Sequence, residues 1–405
     1  MTDITGISCQ GHRAEKLEFV SNCKKLSELG SLHREHRTAN LIKKIQISRN
    51  VGVALAAVVA VAATLASPAA SVARADEIVT VGVNGLISDA PFYIGESKGY
   101  FAKQGITIKF VPIPAGTQMI APLSVGQLDV AGGALGVGFF NAVARGMNIK
   151  IVADRATTHP KSSYISILVR KDLVDSGKVK TYADLAGLRI AENGHGAMQA
   201  STVNEALVRG GHTYDDAIHV TNMPNPEHLN ALANKAIDAS LTTEPLVTLA
   251  VKKGIAVAFS KPDLYPNQVI AALLYGGEFI KNRPEIAKKF MVAYLQAVRF
   301  YNDGLVDGRF KGPNAKEVVD ILIADTPLKD RSVYDDVIAN WCNPDGRVNE
   351  GSLRKDLAFF RTRKDFDLSP KASVEASIDN SFVDYALSVL GPYKPQQALE
   401  GKTVK

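Results

Sequence analysis

The chain has 405 residues, of which 46% are hydrophobic and 22% are charged, so it is long enough for two or three domains with a sizeable core. Its formal net charge of +6 comes largely from residues 1–75, which carry 10 Lys and Arg against 5 Asp and Glu, whereas the remaining 330 residues carry 37 against 36. This balance argues against a nucleic-acid-binding protein, because such a domain carries a basic surplus on its folded part. Cys342 is the one cysteine beyond residue 75, so an intramolecular disulfide is excluded there.

The N-terminal segment has the pattern of an export signal. Basic residues at positions 43, 44 and 49 precede an apolar run, Val51–Leu65, and alanines at positions 73 and 75 follow it. This order predicts a signal peptide that is cleaved after Ala75 and leaves Asp76 as the mature N-terminus. The run is short for a membrane span, which needs about 20 residues, and an uncleaved anchor is the alternative. Because no cysteine follows the run, we expect a soluble periplasmic protein without a lipid anchor, and residues 1–75 are treated as an N-terminal extension plus signal peptide.

The first part of the mature chain alternates between strands and helices. Runs of β-branched and apolar residues that end at glycine, proline or polar turns predict four strands and three helices. The predicted strands are Ile78–Val83, Ile106–Val111, Asp129–Ala131 and Ile149–Ala153; the helices are Ala90–Gln104, Thr117–Gly126 and a segment that ends at Arg145 after a turn at Gly132-Gly133. Helices of about 10–15 residues between strands indicate βαβ units and a partly parallel sheet.

The same alternation returns in the second part of the chain, and the C-terminal part is helical. The predicted strands are Tyr164–Arg170, Leu188–Ala191, His219–Asn222, Ala239–Leu241, Ala256–Ser260 and Val269–Tyr275; the helices between them are Thr181–Ala186, Ala197–Arg209, Glu227–Asn234 and Pro245–Lys253. The C-terminal helices are expected at Glu285–Asn302, Ala315–Ala324, Ser332–Ala339, near Ser352–Phe360 and at Asp379–Leu390.

Two α/β units joined by two strand-like crossings predict an α/β protein with two lobes and a cleft between them. We expect the first lobe to hold residues 76–168 and 274–405 and the second lobe to hold residues 169–273. The hinges are expected near Val169–Lys171 and Leu273–Gly276, where the chain crosses. Because open α/β sheets bind ligands outside the carboxyl ends of their strands, the polar turns that follow the strands are the candidate site.

Several short sequences, taken together, resemble those of the nitrate/sulfonate/taurine-type periplasmic solute-binding proteins of ABC importers. In the first unit they are Gly99-Tyr100-Phe101, Gly116-Thr117 and Gly126–Val130, all within the stretch Asp89–Gly133; in the second they are Tyr182–Gly187, Ile237–Ala239 and Glu244-Pro245. The resemblance covers roughly residues 76–365. It implies a two-lobed periplasmic-binding-protein fold of type II, with two crossover strands, a helical C-terminal region and closure of the lobes about a hinge. It also implies a permease and an ATPase as partners at the inner membrane.

Four loops are expected to line the cleft. Backbone donors at glycines and helix N-termini, together with short polar side chains, suit a small polar ligand. From the first lobe the candidates are Ser88, Asp89, Phe92, Gly116, Thr117, Gly133 and Ala134; from the second they are Asn193, His195, Thr243 and Glu244. Structural roles are the alternatives: helix capping for Ser88 and Asp89, core packing for Phe92, and a favourable helix-dipole interaction for Glu244.

The ligand class follows only in part from these residues. The four loops contain no Lys or Arg, which small-anion sites usually use, and Glu244 favours a neutral or amine-bearing organic molecule. A sulfonate, a pyrimidine-like molecule and an aromatic acid all remain open. We expect a monomer that is not an enzyme and needs no metal or cofactor, since metal-binding and serine-hydrolase motifs are missing.

Two other classes of function stay open. The same superfamily includes pyrimidine-precursor synthases, but the resemblance implies that those enzymes need a cysteine-rich cluster and a PLP lysine, whereas here Cys342 stands alone. A receptor that presents its ligand state to a separate membrane sensor is the other alternative.

Overall fold

The computed structural model describes residues 76–159 and 161–395, and the predicted extension and signal peptide at 1–75 lie outside them. The strands are β1 Glu77–Val83, β2 Ile106–Pro112, β3 Val130–Ala134, β4 Ile149–Thr157, β5 Ile165–Arg170, β6 Arg189–Ala191, β7 Ile218–Val220, β8 Ala239–Thr243, β9 Ala256–Ala258, β10 Val269–Gly276, β11 Leu305–Val306 and β12 Arg309–Phe310. The α-helices are α1 Ala90–Ser97, α2 Ile120–Ser124, α3 Val137–Ala144, α4 Lys171–Asp175, α5 Met198–Arg209, α6 Asn225–Ala233, α7 Leu246–Lys252, α8 Gly277–Asn282, α9 Pro284–Asn302, α10 Ala315–Asp325, α11 Arg331–Tyr334, α12 Glu350–Thr362 and α13 Ser381–Leu390.

Two five-stranded sheets with the same topology form the two lobes. The first has the order β2-β1-β3-β10-β4, and the second has the order β7-β6-β8-β5-β9. In each sheet the first three strands are parallel, and the fourth runs antiparallel to both of its neighbours. Because β5 directly follows β4 and β10 directly follows β9, each antiparallel strand enters its sheet immediately after the chain has crossed from the other lobe.

The two segments where the chain crosses between the lobes are residues 158–164, described except at position 160, and residues 259–268, and they are hydrogen-bonded to each other. The Thr158 N–H donates to the carbonyl oxygen of Gln268 at 2.9 Å, and the Asn267 N–H donates to the carbonyl oxygen of Thr158 at 2.8 Å. The predicted lobe boundaries at 168/169 and 273/274 fall inside β5 and β10, so the chain changes sheets a few residues earlier than the sequence suggests. The division into lobes that move as bodies stays a prediction.

The C-terminal helices complete the cores of both lobes. α9 buries a long apolar face against α1 and α13, and Phe290, Tyr294 and Tyr301 on this helix are fully buried. α12 packs against α5 of the second lobe. None of the helices within the described residues is long and apolar enough to cross a membrane.

Three predicted elements differ from the structure. The helix predicted at Ala90–Gln104 ends at Ser97, because Gly99 takes a left-handed backbone conformation (φ +66°). Gly132 and Gly133 lie within β3 and pair with β10, although the sequence suggested a turn there. The helix predicted at Ser332–Ala339 is reduced to the single turn of α11.

Candidate functional site

A small pocket lies between the lobes at the carboxyl ends of strands from both sheets. We call it the interlobe pocket. From the first lobe it is lined by the loops after β1 and β2, by the end of β3 and by residues of β4 and β10, and from the second lobe by residues that follow β6 and β7 and by the end of β8. The lining residues are Asn84, Leu86, Ile87, Ser88, Gly116, Ala134, Arg155, Tyr164, Asn193, Gln199, Asn225, Thr243, Glu244, Ile270, Ala271 and Asn340.

Arg155, on β4, forms one wall of the pocket and is paired with Asp89. The Arg155 Nη2 atom donates to Oδ1 of Asp89, and the two residues are 1% and 0% exposed. The other carboxylate oxygen of Asp89 accepts from the backbone N–H groups of Asn84 (2.9 Å) and Gly85 (2.8 Å). Asp89 therefore closes the loop after β1 and balances the charge of Arg155, whose Nε atom has no hydrogen-bond partner among the described residues.

Three glycines allow close packing in the wall of the first lobe. A Cβ atom at Gly132 would lie 2.5 Å from Nε of Arg155, and one at Gly133 would lie 2.6 Å from Cδ1 of Leu274. A Cβ atom at Gly116 would lie 2.5 Å from the backbone nitrogen of Ala134. The sequence suggested that Gly133 offers backbone donors to a ligand, whereas in the structure Gly132 and Gly133 make room for neighbouring side chains.

The second lobe contributes amides and hydroxyls to the pocket. Asn225 is the first residue of α6, and its Nδ2 atom donates to Oγ1 of Thr243 at 3.2 Å. Gln199, in the first turn of α5, is 4% exposed and also lines the pocket. The neighbouring Thr242 is hydrogen-bonded to His228 at 2.9 Å, and burial lowers the pKa of His228 to about 4, so this imidazole stays neutral.

Glu244 follows β8 and is 5% exposed. Burial raises the pKa of its carboxyl group to about 7, and hydrogen bonds from Thr248 and the Ile338 N–H partly oppose this rise. The Thr248 N–H and hydroxyl both donate to Glu244 at 2.9 Å, and the Ile338 N–H donates at 3.3 Å. Glu244 also lines a wider groove of about 1190 Å³, so it stands between this groove and the interlobe pocket.

Beside the pocket, the two lobes also meet through backbone hydrogen bonds. The Val137 N–H donates to the carbonyl oxygen of Gly196 at 2.9 Å, and the Met198 N–H donates to that of Leu135 at 3.2 Å. A Cβ atom at Gly136 would lie 2.6 Å from the Gly196 oxygen, so glycine is needed for this approach. These bonds hold the lobes together beside the pocket, and we call them the interlobe latch.

The predicted site residues are divided between three environments. Six line the interlobe pocket: Ser88, Gly116, Ala134, Asn193, Thr243 and Glu244. Three lie in the first lobe's interior instead: Asp89 in its ion pair, Gly133 in β3, and Phe92, whose ring packs 5.6 Å from that of Tyr294.

The remaining two predicted residues, Thr117 and His195, line a neighbouring groove of about 940 Å³ that shares Ala134 with the pocket. His195 is exposed, and its Nε2 atom donates to the carbonyl oxygen of Asp365 at 2.8 Å. His195 thus fastens the C-terminal part of the chain to the second lobe.

Several lining residues were not predicted from the sequence, chiefly Arg155, Tyr164, Gln199, Asn225 and Asn340. One signal was available for Arg155, because a charged residue in the middle of an otherwise buried strand requires a partner. For Gln199 and Asn225 the signal was weaker: both stand in the first turn of a helix that follows a strand end. Nothing local distinguishes Asn340, which reaches the pocket through the fold of the C-terminal part.

Within the described chain, the reactive side chains outside the pocket do not form a catalytic or metal centre. Cys342 is fully buried, its thiol donates to the carbonyl oxygen of Arg155 at 2.6 Å, and burial raises the pKa of the thiol well above its ordinary value. Among the described residues, no group of three or more His, Cys, Asp or Glu side chains is placed to hold a metal ion.

Two sheets of equal topology, crossed twice by the chain and enclosing a pocket, define the periplasmic-binding-protein fold. The sequence matches the NMT1-like family over residues 73–322, so the chain belongs to this family. No curated protein sequence matches the chain.

Solved structures share this fold at low sequence identity. The alkanesulfonate-binding protein SsuA from Xanthomonas axonopodis, bound to MOPS, has a TM-score of 0.59 and 17% identity and covers 75% of this chain and 98% of its own. The periplasmic aliphatic sulphonate-binding protein SsuA from Escherichia coli has a TM-score of 0.59 and 17% identity, with coverages of 76% and 99%. The periplasmic nitrate-binding protein NrtA from Synechocystis has a TM-score of 0.59 and 16% identity, with coverages of 79% and 92%. The resemblance to nitrate- and sulfonate-type binding proteins is confirmed.

Proposed function

We propose that this chain is the periplasmic solute-binding component of an ABC importer and captures a small organic molecule between its lobes. The observation that carries the proposal is the interlobe pocket, whose polar lining comes from the strand ends of both lobes. A site divided in this way is complete only when the lobes are together. Ligand binding and lobe closure are then coupled, because contacts from both sides exist only in the closed state.

The proposed hinge comprises the two crossing segments, residues 158–164 and 259–268. Hinges are the few residues that absorb a change in backbone angles while the bodies on either side stay intact. Thr158 supports this role, because it bonds the two segments to each other through its backbone and its hydroxyl. In the proposed cycle, the closed and loaded protein docks on the permease and ATPase, and opening releases the ligand.

Export to the periplasm is part of the proposal, and it is supported by the basic, apolar and small-residue order of the N-terminal segment. Mass spectrometry of the protein from the periplasmic fraction of expressing cells is expected to give a chain that begins at Asp76. An intact N-terminus in that fraction, or the absence of the protein from it, would contradict this part of the proposal.

Binding without catalysis is also proposed. The lining residues of the pocket within the described chain include no Lys, His or Cys, and Cys342 lies behind Arg155 in the core. The lining therefore offers hydrogen bonds and shape, and no histidine lines the pocket to activate the hydroxyl groups of Ser88, Tyr164 and Thr243. The structural relatives named above are themselves called binding proteins, which supports the same interpretation.

A thermal-shift screen of the purified protein tests the proposal. The compounds are sulfonates, nitrate, bicarbonate, pyrimidines and aromatic acids, applied after carried-over ligand has been removed by partial unfolding and refolding. A ligand that binds only the native state, present at about 100 times its dissociation constant, adds about 2.7 kcal/mol of stability. A reproducible upward shift with one compound class supports the proposal, and well-folded protein that responds to none of the classes contradicts it.

A further inference from the structure

Two buried amide oxygens in the interlobe pocket lack a hydrogen-bond partner. They are Oε1 of Gln199 and Oδ1 of Asn225, and neither has a partner within residues 76–159 and 161–395. The two residues are 4% and 6% exposed. Buried acceptors are nearly always satisfied in folded proteins, so an unpaired pair beside a pocket calls for donors from whatever fills it.

The charge of the pocket is balanced. Arg155 and Glu244 are the only charged side chains among its described lining residues, and Arg155 is already bonded to Asp89. An oxyanion placed here would meet a guanidinium whose charge is already balanced by Asp89 and whose unpaired Nε is packed against Gly132. It would also lie near the Glu244 carboxyl group and would offer no N–H to the two amide oxygens. A cation would find Glu244 but would also lie close to the Arg155 guanidinium.

We propose that the interlobe pocket selects a small neutral molecule that carries N–H donors beside a hydrogen-bond acceptor, such as a carboxamide or a sulfonamide, over oxyanions. The inference rests on the proposed function and specifies its ligand. The ligand's N–H groups bond to Gln199 and Asn225 of the second lobe. Its acceptor faces the side of the pocket formed by Arg155 and Tyr164, whose guanidinium and hydroxyl groups are donors. One ligand thus satisfies groups of both lobes and favours closure.

Compounds of matched shape and different charge test the inference. Calorimetric titration of the purified protein compares benzamide, benzoate and benzylammonium, and then methanesulfonamide with methanesulfonate, alongside the sulfonates, nitrate and aromatic acids of the screen. The expected result is that a neutral N–H donor is the tightest binder and that its affinity is at least tenfold higher than that of the anionic compound of matched shape. An oxyanion or an ammonium compound as the tightest binder overturns the inference and leaves the proposed function standing. Binding by no compound contradicts the proposed function itself, and the inference falls with it.

Gln199→Met tests the assigned contact, because methionine keeps the length of the side chain and removes the acceptor. Since Oε1 is unpaired in the free protein, the melting temperature of the free protein is expected to be unchanged or higher, while the affinity for the amide falls at least tenfold. Gln127→Met, on the exposed surface, is the control and is expected to change neither quantity. If the Gln199→Met variant has a lower melting temperature and binds the amide as tightly as the unaltered protein, Gln199 has a structural role and the assignment is overturned.

Discussion

The guanidinium group of Arg155 and the carboxylate of Asp89 are both buried, and each depends on the other for its charge. Removing one member of a buried pair leaves an uncompensated charge, which typically costs about 3–5 kcal/mol. Asp89→Asn is therefore expected to lower the free energy of unfolding by about this amount, as measured by urea denaturation. Asp320→Asn removes a surface carboxylate that pairs with Lys316 and Arg331 and serves as the control, with a much smaller loss. Equal losses in the two variants would contradict the structural role given to Asp89.

The same pair shows where residue-level prediction reached its limit. A carboxylate after a strand and before a helix suits a cap or a ligand contact equally well, and Asp89 was placed among the candidate ligand residues on that ground. Its partner lies 66 positions later, on a strand whose buried position is fixed only by the assembled sheet. Ser88, Asn193, Thr243 and Glu244 line the pocket as the local pattern suggested, because they lie at or within a few residues of strand ends.

At the scale of elements, α12 links the C-terminal part to both the crossing segment and α5. The Tyr265 hydroxyl donates to Oδ1 of Asp356 at 2.8 Å, and Nε2 of Gln268 donates to the same oxygen at 3.3 Å. Gln268 in turn accepts from the hydroxyl of Thr202 on α5. Sequence periodicity predicted a helix near residues 352–360 but could not indicate this link, because it depends on which buried face meets the crossing segment.

The acidity of Asp356 gives a pH-dependent prediction for this link. Burial raises the pKa of its carboxyl group to about 7, against about 3.9 in an unfolded chain. The folded state therefore holds a proton that the unfolded state has released, so the stability from this group is complete below about pH 4 and is lost as the pH rises through about 7. Asp356→Asn removes this dependence. As the pH rises from 5 to 7, the free energy of unfolding of the unaltered protein is expected to fall relative to that of the variant. Urea denaturation at pH 5, 6 and 7 measures the difference, with the exposed Asp335→Asn variant as the control. A difference between Asp356→Asn and the unaltered protein that stays constant over this range would contradict the prediction.

The interlobe latch gives a second prediction for elements. Gly136→Ala places a Cβ atom against the Gly196 oxygen, so the paired backbone of the two lobes must separate. Overpacking of this kind typically costs about 1–3 kcal/mol, and we expect the loss mainly in the closed state, as weaker ligand binding in calorimetry. Gly138→Ala is the matched control, because a Cβ atom there meets nothing within 4 Å. Unchanged affinity in the Gly136 variant would show that closure does not depend on the latch.

At the scale of the whole molecule, the alternation of strands and helices was sufficient to predict an α/β protein with two units, and the short family-like sequences indicated the fold. The resemblance implied two crossover strands, but which sheet β5 and β10 each join was not predictable, because strand order depends on contacts far apart in the chain. Gly132 and Gly133 illustrate the difference. Glycine usually marks a turn, but here it is needed inside a strand, because the side chains of Arg155 and Leu274 pack closely against it.

The central claim is that one small molecule binds between the lobes, and the most direct test is calorimetric titration of the tightest compound into a variant whose pocket is filled. Asn193→Phe introduces a large ring from the second lobe at a half-buried lining position, and Gln127→Phe is the exposed control. One ligand per chain is expected for the unaltered protein and for the control, and loss of binding is expected in a folded Asn193 variant. Undiminished binding in the Asn193 variant would place the ligand elsewhere and contradict the account.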